Sequence, residues 1–413
     1  MALSSKQREI LRFPYSNYTS IICDGAVRSG KTSIMSLSFV LWAMGNFNNR
    51  AFAICGKSVG AVERNIVAPL LSIRYLQQNF DMRYNRGDHM ITVRRGVKEN
   101  RFYLFGGKDE SSAALIQGIT LAGVLLDEVA LMPRSFVEQA LARCSVTGRK
   151  LWFNCNPDSN YHWFYKEWIR RAHERNALHL HFTMDDNPSL SDDIKAQYKS
   201  MFAGIFYQRY IEGLWVAADG VIYDMFSESE NVYRKEDEPK GLRHSAVKYI
   251  GVDYGTINDT VFLEAFDDGE TLWITREYRW ASREKRRQKT DSEYADDFME
   301  FMGSGPEDAC PAIVDPSAAS FKEELARRGV YVIDAENDVL DGIRKVSTLM
   351  GQRRLKICET CTGLLEELSG YVWDEKAALN GVEKPVKMAD HGADAMRYLV
   401  ATTIPGWRLG EVN

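Results

Sequence analysis

Short apolar runs alternate with helix-length stretches through the first half of the chain. The predicted strands are Ser20–Cys23, Ala51–Cys55, Phe102–Phe105, Gly123–Leu126, Lys150–Asn154 and Leu178–Phe182. The predicted helices between them are Thr32–Met44, Ala61–Gln78, Ser135–Ala142 and His162–Glu174. Strands that alternate with helices are typical of a parallel, doubly wound α/β sheet. The pattern therefore predicts an α/β domain over residues 1–212, which ends with a helical stretch from Asp192 to Glu212.

The pattern changes in the second half of the chain. Three predicted strands, Tyr249–Asp253, Thr260–Phe266 and Thr271–Arg279, follow one another, and an Asp-Gly pair separates the last two. Such a pair favours antiparallel neighbours. The later segments are predicted as a helix at Ser292–Met302, a strand at Ala312–Val314, a helix at Ser320–Arg328 and a strand at Val330–Ile333. We expect a second α/β domain over residues 246–413, joined to the first by a connector at residues 213–245.

Composition is that of a globular protein. Hydrophobic residues make up 45% and charged residues 26% of the 413 residues, which excludes the disordered, fibrous and disulfide-scaffold classes. No apolar run reaches the roughly 18 residues of a membrane-spanning helix, and the first residues lack the apolar core of a signal peptide. We therefore expect no membrane span and a location in the cytoplasm.

Charge is unevenly distributed along the chain. Residues 1–215 hold 27 Lys and Arg against 19 Asp and Glu, whereas the remaining residues hold 25 against 38. A positive first half suits contact with a polyanion. An acidic second half suits carboxylates that are gathered around metal ions.

Residues 25–32, with the sequence GAVRSGKT, fit the full phosphate-loop pattern between a predicted strand and a predicted helix. Glycines let successive backbone N–H groups surround phosphate oxygens at the helix N-terminus. Lys31 is expected to reach the β- and γ-phosphates, and Thr32 to place its hydroxyl on Mg²⁺. The predicted ATP-binding residues of this pattern are Gly25, Ser29, Gly30, Lys31 and Thr32.

Two carboxylates end the apolar run GVLLDE at residues 123–128. Asp127 suits the Mg²⁺ shell, and Glu128 suits the base that orients the attacking water. The alternative is an acidic pair at a helix N-terminus. With a phosphate loop upstream, we expect ATP hydrolysis.

Three amides are further candidates in this half. Asn154 and Asn156 follow another apolar run, where a polar residue can sense the γ-phosphate and couple hydrolysis to movement; the alternative is a structural turn before Pro157. Gln7 stands just before the first strand and is a candidate for reading the adenine edge, with a plain surface-helix residue as the alternative.

Carboxylates also recur at the ends of predicted elements in the second half. Asp253 and Asp315 end apolar strands, while Asp390 and Asp394 share one face of the last predicted helix, with His391 beside that face. A carboxylate at such a place is costly unless it is paired or binds a cation, so these acids suggest a two-metal phosphodiesterase site. The alternatives are a helix cap at Asp390 and a turn at Asp315.

Together these motifs resemble one family, the large terminase subunit of tailed bacteriophages, which is the ATP-driven motor that packages and cuts viral DNA. The resemblance covers nearly the whole chain, in order. Its motifs are GAVRSGKT, GVLLDE, NPDSNYHWFY, TMDDNPSL, RYIEGLWVAADGVIYDMF, IGVDYGTINDT, IVDPSA and DHGADAMRY.

The resemblance implies an ASCE-type P-loop ATPase domain, a small lid region and a C-terminal nuclease of the ribonuclease H-like fold. Asp253, Asp315 and Asp394 fall on the family's metal-binding acids, with His391 as an auxiliary. Arg28 falls where the family has an arginine inside its phosphate loop. Where several relatives have a trans-acting arginine, eleven residues before the catalytic glutamate, this chain has Gln117.

The implied cofactors are ATP with Mg²⁺ at the first site and Mg²⁺ or Mn²⁺ at the second. The implied partners are double-stranded DNA, the portal protein of the procapsid and the small terminase subunit. The resemblance also implies a ring of about five subunits during packaging, a monomer when free in solution, and a location in the host cytoplasm and transiently at the portal.

A basic run lies between the predicted strands of the second domain and the helix near Ser292. It is either a solvated loop or a DNA-guiding hairpin, and its residues include Arg283, Lys285, Arg286, Arg287 and Lys289.

The leading interpretation is therefore an ATP-driven DNA translocase that is also a metal-dependent endonuclease. One alternative is a helicase-like or repair-type nuclease without a capsid, but no motifs of a second motor core are present. A non-enzymatic assembly module is a third hypothesis, against which the intact candidate acids stand.

Overall fold

The computed structural model describes residues 3–255, 259–285, 287–305, 308–388 and 390–409. The chain forms two compact units. Unit 1 comprises Met1–Lys195 and Tyr207–Ala217, and unit 2 comprises Ala196–Phe206 and Ala218–Asn413. No helix within the described ranges is long and apolar enough to cross a membrane.

Unit 1 is built on one mixed sheet. Among the described residues its eight strands are β1 Ser20–Gly25, β2 Arg50–Gly56, β3 Asp81–Asn85, β4 Met90–Arg95, β5 Lys98–Gly106, β6 Leu121–Asp127, β7 Lys150–Asn154 and β8 Ala177–Phe182. Their order across the sheet is β3-β4-β5-β2-β6-β7-β1-β8. Strands β5, β2, β6, β7, β1 and β8 run parallel, whereas β4 is antiparallel to β3 and β5.

The helices of unit 1 cover both faces of this sheet. They are Ser5–Arg12, Lys31–Asn46, Val59–Val62, Ala68–Leu71, Arg74–Asn79 and Arg134–Arg143, with 3₁₀ turns at Phe13–Tyr15, Glu110–Ile116, Val129–Leu131 and Met184–Asp186 and π-helical turns at Glu63–Val67 and Tyr165–Ile169. Successive residues of β1 enter opposite cores, because Ile21 and Cys23 pack in one cluster and Ile22 in the other. Burial on both faces is expected of a parallel sheet.

Three predicted helices of the first half are interrupted. The stretch Ala61–Gln78 contains a π-helical turn at Glu63–Val67 and breaks at Ser72 and Ile73. At this break the Ser72 hydroxyl donates to the Pro69 carbonyl oxygen at 2.7 Å and so competes with the backbone hydrogen bonds of the helix. His162–Glu174 contains only a short helical turn before the chain enters β8. The stretch from Asp192 to Glu212 forms two helices, Asp192–Ser200 and Gly204–Tyr210, in which the chain passes between the units.

Unit 2 is built on a second mixed sheet. Within the described residues its seven strands are β9 Val232–Tyr233, β10 Val247–Asp253, β11 Thr260–Asp267, β12 Leu272–Trp280, β13 Ala312–Val314, β14 Val332–Asp334 and β15 Leu355–Cys358. Their order is β14-β13-β10-β11-β12-β15-β9. Antiparallel pairing of β11 with β12 confirms the expectation from the Asp-Gly turn, and β11 also pairs antiparallel with β10.

The helices of unit 2 follow and flank these strands. They are Glu228–Asn231, Leu242–Ser245, Ser282–Lys285, Asp291–Met302, Ala319–Arg327, Val339–Gly351, Thr362–Gly370, Glu375–Leu379 and His391–Thr403, with 3₁₀ turns at Lys235–Asp237 and Gly406–Leu409. Strand β13 pairs in parallel with β10 on one side and with β14 on the other. The carboxyl ends of β10 and β13 therefore lie at the same edge of the sheet.

Candidate functional site

The phosphate loop of unit 1 is shaped by two glycines. Gly25 has φ +120°, and a Cβ there would lie 2.0 Å from the Phe182 carbonyl oxygen, so only glycine fits. Gly30 is the N-cap of the helix Lys31–Asn46, with φ +82°, and among the described residues no side chain caps that helix. The first N–H groups of the helix therefore suit an anionic ligand.

Lys31 is held at the centre of this loop. It is 5% exposed, and its Nζ donates to the carbonyl oxygens of Gly25 at 3.0 Å and Ala26 at 2.7 Å and to Ser29 Oγ at 3.1 Å. Burial lowers the pKa of Lys31, while the charge of Glu128 opposes that shift. The loop thus fixes the side chain of Lys31, which is predicted to bind phosphate together with the backbone N–H groups of that loop.

Asp127, Thr32 and Asn154 form one hydrogen-bonded network. Asp127 ends β6 and stands opposite Asn154, which ends the parallel strand β7. Thr32 Oγ1 donates to Asp127 Oδ1 at 3.2 Å, while Asn154 Nδ2 donates to Thr32 Oγ1 at 2.8 Å and also to Asp127 Oδ1. Burial raises the pKa of Asp127, against the effect of these hydrogen bonds.

The network also fits a hard cation. Within the described structure, Asn154 Oδ1 is buried and has no hydrogen-bond partner. Hydroxyl, carboxylate and amide oxygens are the ligands that Mg²⁺ takes, directly or through water.

Glu128 has an unusual backbone and an unusual pKa. Its φ is +58°, in the left-handed region that a residue other than glycine seldom adopts and that is enriched at functional sites. Burial, together with the charge of Asp127, raises the pKa of Glu128 to about 7. Asn156 Nδ2 donates to both Glu128 carboxylate oxygens at 3.3 Å, and Asn156 Oδ1 accepts from Lys31 Nζ at 3.3 Å. Both asparagines thus lie among the predicted ATP-site residues.

Three further residues of unit 1 come from the sequence analysis. Gln7 is 4% exposed, so the alternative of a surface residue is wrong, and its Nε2 lies 2.7 Å from where a Cβ on Gly30 would be. Arg28 has φ +55°, and its carbonyl oxygen accepts from Asn187 Nδ2 at 2.7 Å. Gln117 follows the 3₁₀ turn Glu110–Ile116 and is exposed.

Sequence reasoning missed a buried network beside the phosphate loop. Asp24 in β1 is 1% exposed; it accepts from Trp215 Nε1 at 2.6 Å and lies 2.8 Å from His179 Nε2 and 3.3 Å from His181 Nδ1. Burial would raise the pKa of Asp24, but the hydrogen bonds with the two histidines outweigh burial and lower it. A carboxylate inside an apolar strand beside a His-x-His strand was the available signal.

In unit 2, strand ends and one helix bring the second set of acids together. Asp253 ends β10, and Asp315 directly follows the parallel neighbour β13. The helix His391–Thr403 lies against β10 so closely that a Cβ on Gly251 would be 2.4 Å from Leu399 Cγ. This contact places His391 Nδ1 at 2.8 Å from Asp253 Oδ2.

Asp394 lies close enough to Asp253 for its charge to act on that carboxyl group. Burial raises the pKa of Asp253, the hydrogen bond with His391 opposes it, and the charge of Asp394 raises it further. Arg397 Nη2 donates to Asp394 Oδ1 at 2.9 Å, and Lys387 Nζ lies 2.9 Å from Asp394 Oδ2 and 3.1 Å from Asp390 Oδ2.

Asp315 forms the turn that was the alternative to a metal ligand, and it also contacts the last helix. Its Oδ1 accepts from the Ser317 N–H at 2.7 Å, which is the expected turn, and its Oδ2 accepts from Tyr398 Oη at 2.6 Å. Carboxylate oxygens suit Mg²⁺ and Mn²⁺. Over the described ranges, however, no three side chains of His, Cys, Asp and Glu already stand as a metal-binding group, so the shared metal site stays a prediction.

The alternative of Asp390 as a helix cap is wrong. Asp390 occupies the N-cap position of His391–Thr403, but its side chain makes no capping hydrogen bond. Glu367 does so instead, because its Oε2 accepts from the N–H groups of Gly392 at 2.6 Å and Ala393 at 3.0 Å. A cap supplied by a distant helix leaves no local sequence signal.

The basic run is partly paired within unit 2. Arg286 lies outside the described residues, and so does the side chain of Arg283. Lys285 Nζ and Lys289 Nζ lie 4.3 Å and 3.9 Å from the ring centroid of Trp280. Lys289 also pairs with Asp297, and Arg287 Nη2 lies 2.5 Å from Glu293 Oε1. DNA binding by this run stays a prediction.

The chain matches known proteins in sequence and in fold. Residues 22–230 match the family model of the terminase large subunit, T4likevirus-type, N-terminal region, and residues 275–402 match that of the terminase RNaseH-like domain. The large terminase of a thermophilic bacteriophage is 48% identical, over 98% of this chain and 100% of that chain, with a TM-score of 0.89. The same protein in complex with ADP is 47% identical, over 97% and 100%, with a TM-score of 0.86.

A curated relative matches over a shorter span. The terminase large subunit of Escherichia phage T5 is 27% identical over 236 residues, which are 54% of this chain and 51% of that protein. The match thus spans about half the length of this curated relative. The comparisons confirm the predicted resemblance and fold class, and they give no support to the helicase-like alternative. The chain therefore belongs to the bacteriophage large terminase family, and it has an ATPase domain followed by a ribonuclease H-like nuclease domain.

Proposed function

We propose that this chain hydrolyses ATP in unit 1 to drive double-stranded DNA into a procapsid, and that it cuts that DNA in unit 2. The observation that carries the proposal is the network of Thr32, Asp127 and Asn154, which lies beside Lys31 and Glu128 at the ends of adjacent strands. The large terminase of the thermophilic bacteriophage forms a complex with ADP, which supports a nucleotide at the corresponding loop.

In the ATPase centre the phosphate loop binds the nucleotide, and the residues at the strand ends hold the metal and activate the water. The N–H groups at the start of the helix Lys31–Asn46, together with Lys31, bind the phosphates. Thr32 and Asp127 would hold Mg²⁺, which would neutralise phosphate charge when bound. Glu128 orients the attacking water and takes its proton, and its backbone conformation and the amide of Asn156 fix its carboxylate. Asn154 couples the state of this centre to movement, and Gln7 reads the adenine edge.

In the nuclease centre the carboxylates hold the cofactor. Asp253, Asp315 and Asp394 would bind Mg²⁺ or Mn²⁺, which when bound activates a water for phosphodiester hydrolysis. His391 orients Asp253 through their 2.8 Å hydrogen bond. Lys387 and Arg397 neutralise Asp394 and Asp390, so metal binding has to displace or share these contacts. The basic run at residues 283–289 guides DNA toward this edge.

The remaining assignments follow the family. We assign residues 1–212 to the motor, 213–245 to the lid or connector and 246–413 to the nuclease. The partners are the portal protein and the small terminase subunit, and the packaging form is a ring of about five copies in the host cytoplasm, docked transiently at the portal.

The test is a paired assay on the purified full-length chain. We expect release of phosphate from ATP with Mg²⁺, and nicking or linearisation of supercoiled plasmid with Mn²⁺ or Mg²⁺. ATP hydrolysis without any DNA cutting in either metal would overturn the assignment of the second centre, and cutting without hydrolysis would overturn that of the first.

A further inference from the structure

The helix that carries His391 and Asp394 is fixed at its start by a residue from elsewhere in unit 2. Glu367 lies on the helix Thr362–Gly370 and is 6% exposed. Its Oε2 accepts from the N–H groups of Gly392 and Ala393 at 2.6 and 3.0 Å. These two residues stand between His391 and Asp394, so the carboxylate contacts the backbone at the point that sets both side chains. An anion at a helix N-terminus is favourable.

Arg279 holds Glu367 in this position. Arg279 lies near the carboxyl end of β12, and its Nη1 donates to Glu367 Oε1 at 2.6 Å. Its Nε donates to Glu277 Oε1 at 3.0 Å. Each oxygen of Glu367 therefore has its own donors, one on Arg279 and the other on the backbone of the last helix.

Glu277 in turn caps the helix on which Glu367 lies. Its Oε2 accepts from the Leu364 N–H at 3.0 Å, and the N-cap residue of that helix, Cys361, makes no side-chain cap. The sequence of contacts thus runs from β12 to one helix and from that helix to the next. A carboxylate caps each helix start, and Arg279 lies between the two carboxylates.

Glycine makes room for this arrangement at both helix starts. A Cβ on Gly392 would lie 2.9 Å from Glu367 Oε2 and 3.0 Å from Arg279 Nη2. A Cβ on Gly363 would lie 2.5 Å from Glu277 Oε1 and 2.6 Å from Arg279 Nε. Even a methyl group would therefore push the capping carboxylates away from the N–H groups that they accept from.

We propose that Glu367, held by Arg279, is a positioning residue of the nuclease centre, which sets His391 and Asp394 for metal binding. The inference rests on the proposed nuclease function. Glu367 does not touch the substrate or the metal in this account; it acts through the backbone of the last helix. Partners that orient ligands in this way typically change metal affinity by about 10- to 100-fold when they are replaced.

The test measures Mn²⁺ binding to the full-length chain by calorimetry without nucleotide, with DNA cutting and ATP hydrolysis in parallel. Glu367→Gln keeps the size of the side chain, removes its charge and should raise the Kd for Mn²⁺ by about 10- to 100-fold. ATP hydrolysis should not change. The matched control is Glu366→Gln. Glu366 is the exposed neighbour of Glu367 on the same helix, and both residues line one cleft of about 630 Å³. The Kd of this control for Mn²⁺ should equal that of the wild type.

A second variant separates positioning from stability. Gly392→Ala keeps Glu367 and its charge but displaces the capping carboxylate, so we expect weaker Mn²⁺ binding, while a cooperative melting curve shows that the variant is folded. If Glu367→Gln does not fold, this variant decides alone.

The outcomes distinguish the inference from the function on which it rests. Wild-type binding with an unchanged Kd in Glu367→Gln and Gly392→Ala overturns the positioning role, whatever happens to the melting temperature. A wild-type chain that neither binds Mn²⁺ nor cuts DNA overturns the nuclease site itself, and the inference with it.

Discussion

The two candidate centres of this chain are assembled in different ways. In unit 1 the polar residues stand at the ends of β6 and β7 and at the start of the helix after β1, and they hydrogen-bond to one another. In unit 2 each acid has a separate partner: His391 for Asp253, Tyr398 for Asp315, and Lys387 with Arg397 for Asp394. The first centre is a preformed network, whereas the acids of the second are held by separate partners, and on our proposal a cation would join them.

The two centres therefore depend on different features of the fold. In unit 1 the hydroxyl, amide and carboxylate groups hydrogen-bond to one another and so fix their own geometry. Replacing one of them therefore alters the hydrogen bonds of several others. Carboxylates that each hold a separate donor depend instead on the elements that bring them together, here the close packing at Gly251 and the cap from Glu367.

The largest expected effect lies in the preformed centre. Glu128→Gln keeps the shape of the side chain but removes the base, so ATP hydrolysis should fall by about 100- to 10 000-fold, while ATP still binds. Phosphate release and nucleotide binding are measured on the same preparation. Glu138→Gln, at an exposed position, is the control. Hydrolysis at the wild-type rate in Glu128→Gln would remove Glu128 from its assigned role.

The next effect tests whether the second centre is a metal site or a set of structural acids. Asp315→Asn preserves the turn, because Asn accepts the same backbone hydrogen bond, but it removes a charge. Plasmid cutting should fall by about 10- to 100-fold or more, with a higher Mn²⁺ requirement. Asp334→Asn, at an exposed strand end, should cut as the wild type does. If Asp315→Asn also cut normally, Asp315 would be a turn residue only.

A third change sharpens the idea of a shared network in unit 1. Asn154→Ala removes the donor to both Thr32 and Asp127, so ATP hydrolysis should fall by about 10- to 100-fold, whereas DNA cutting should not change. Hydrolysis rates as a function of Mg²⁺ concentration provide the check. Unchanged rates at every concentration would mean that Asp127 and Thr32 are held without Asn154.

The smallest effect concerns stability rather than catalysis. Asp24→Asn leaves a buried network without its charge and should destabilise unit 1 by about 3 kcal/mol at pH 7. Because the pKa of Asp24 is lowered in the fold, its contribution is present above the ordinary value of 3.8 and is lost as the pH falls through the lowered pKa. Unfolding curves of variant and wild type should therefore converge in acid. A difference that is the same at pH 7 and at the lowest accessible pH would contradict this account.

What could be predicted from the sequence follows the same contrast. The phosphate loop, Asp127, Glu128 and the two asparagines are local patterns at strand ends, and parallel pairing then brings them together without further information. The break in the stretch Ala61–Gln78 occurs where the Ser72 hydroxyl bonds to the backbone, which the spacing of apolar residues does not show.

The features that the sequence did not reveal depend on distant contacts. The hairpin of β3 and β4 forms the edge of the sheet, and β3 alternates between exposed and half-buried residues without a buried one. Glu367 and Arg279 belong to no local sequence pattern. Their role depends on the fold, which brings them to the start of the last helix. The burial of Asp24 becomes meaningful only when His179, His181 and Trp215 surround it.

The central claim is that one chain holds two separate chemical centres. The most direct measurement assays ATP hydrolysis and DNA cutting in parallel on the full-length chain and on Lys31→Ala and Asp253→Asn. Lys31→Ala should abolish hydrolysis, because the phosphates lose their fixed cation, and leave plasmid cutting intact. Asp253→Asn should abolish cutting and leave hydrolysis intact. Loss of both activities in either folded variant would contradict the account.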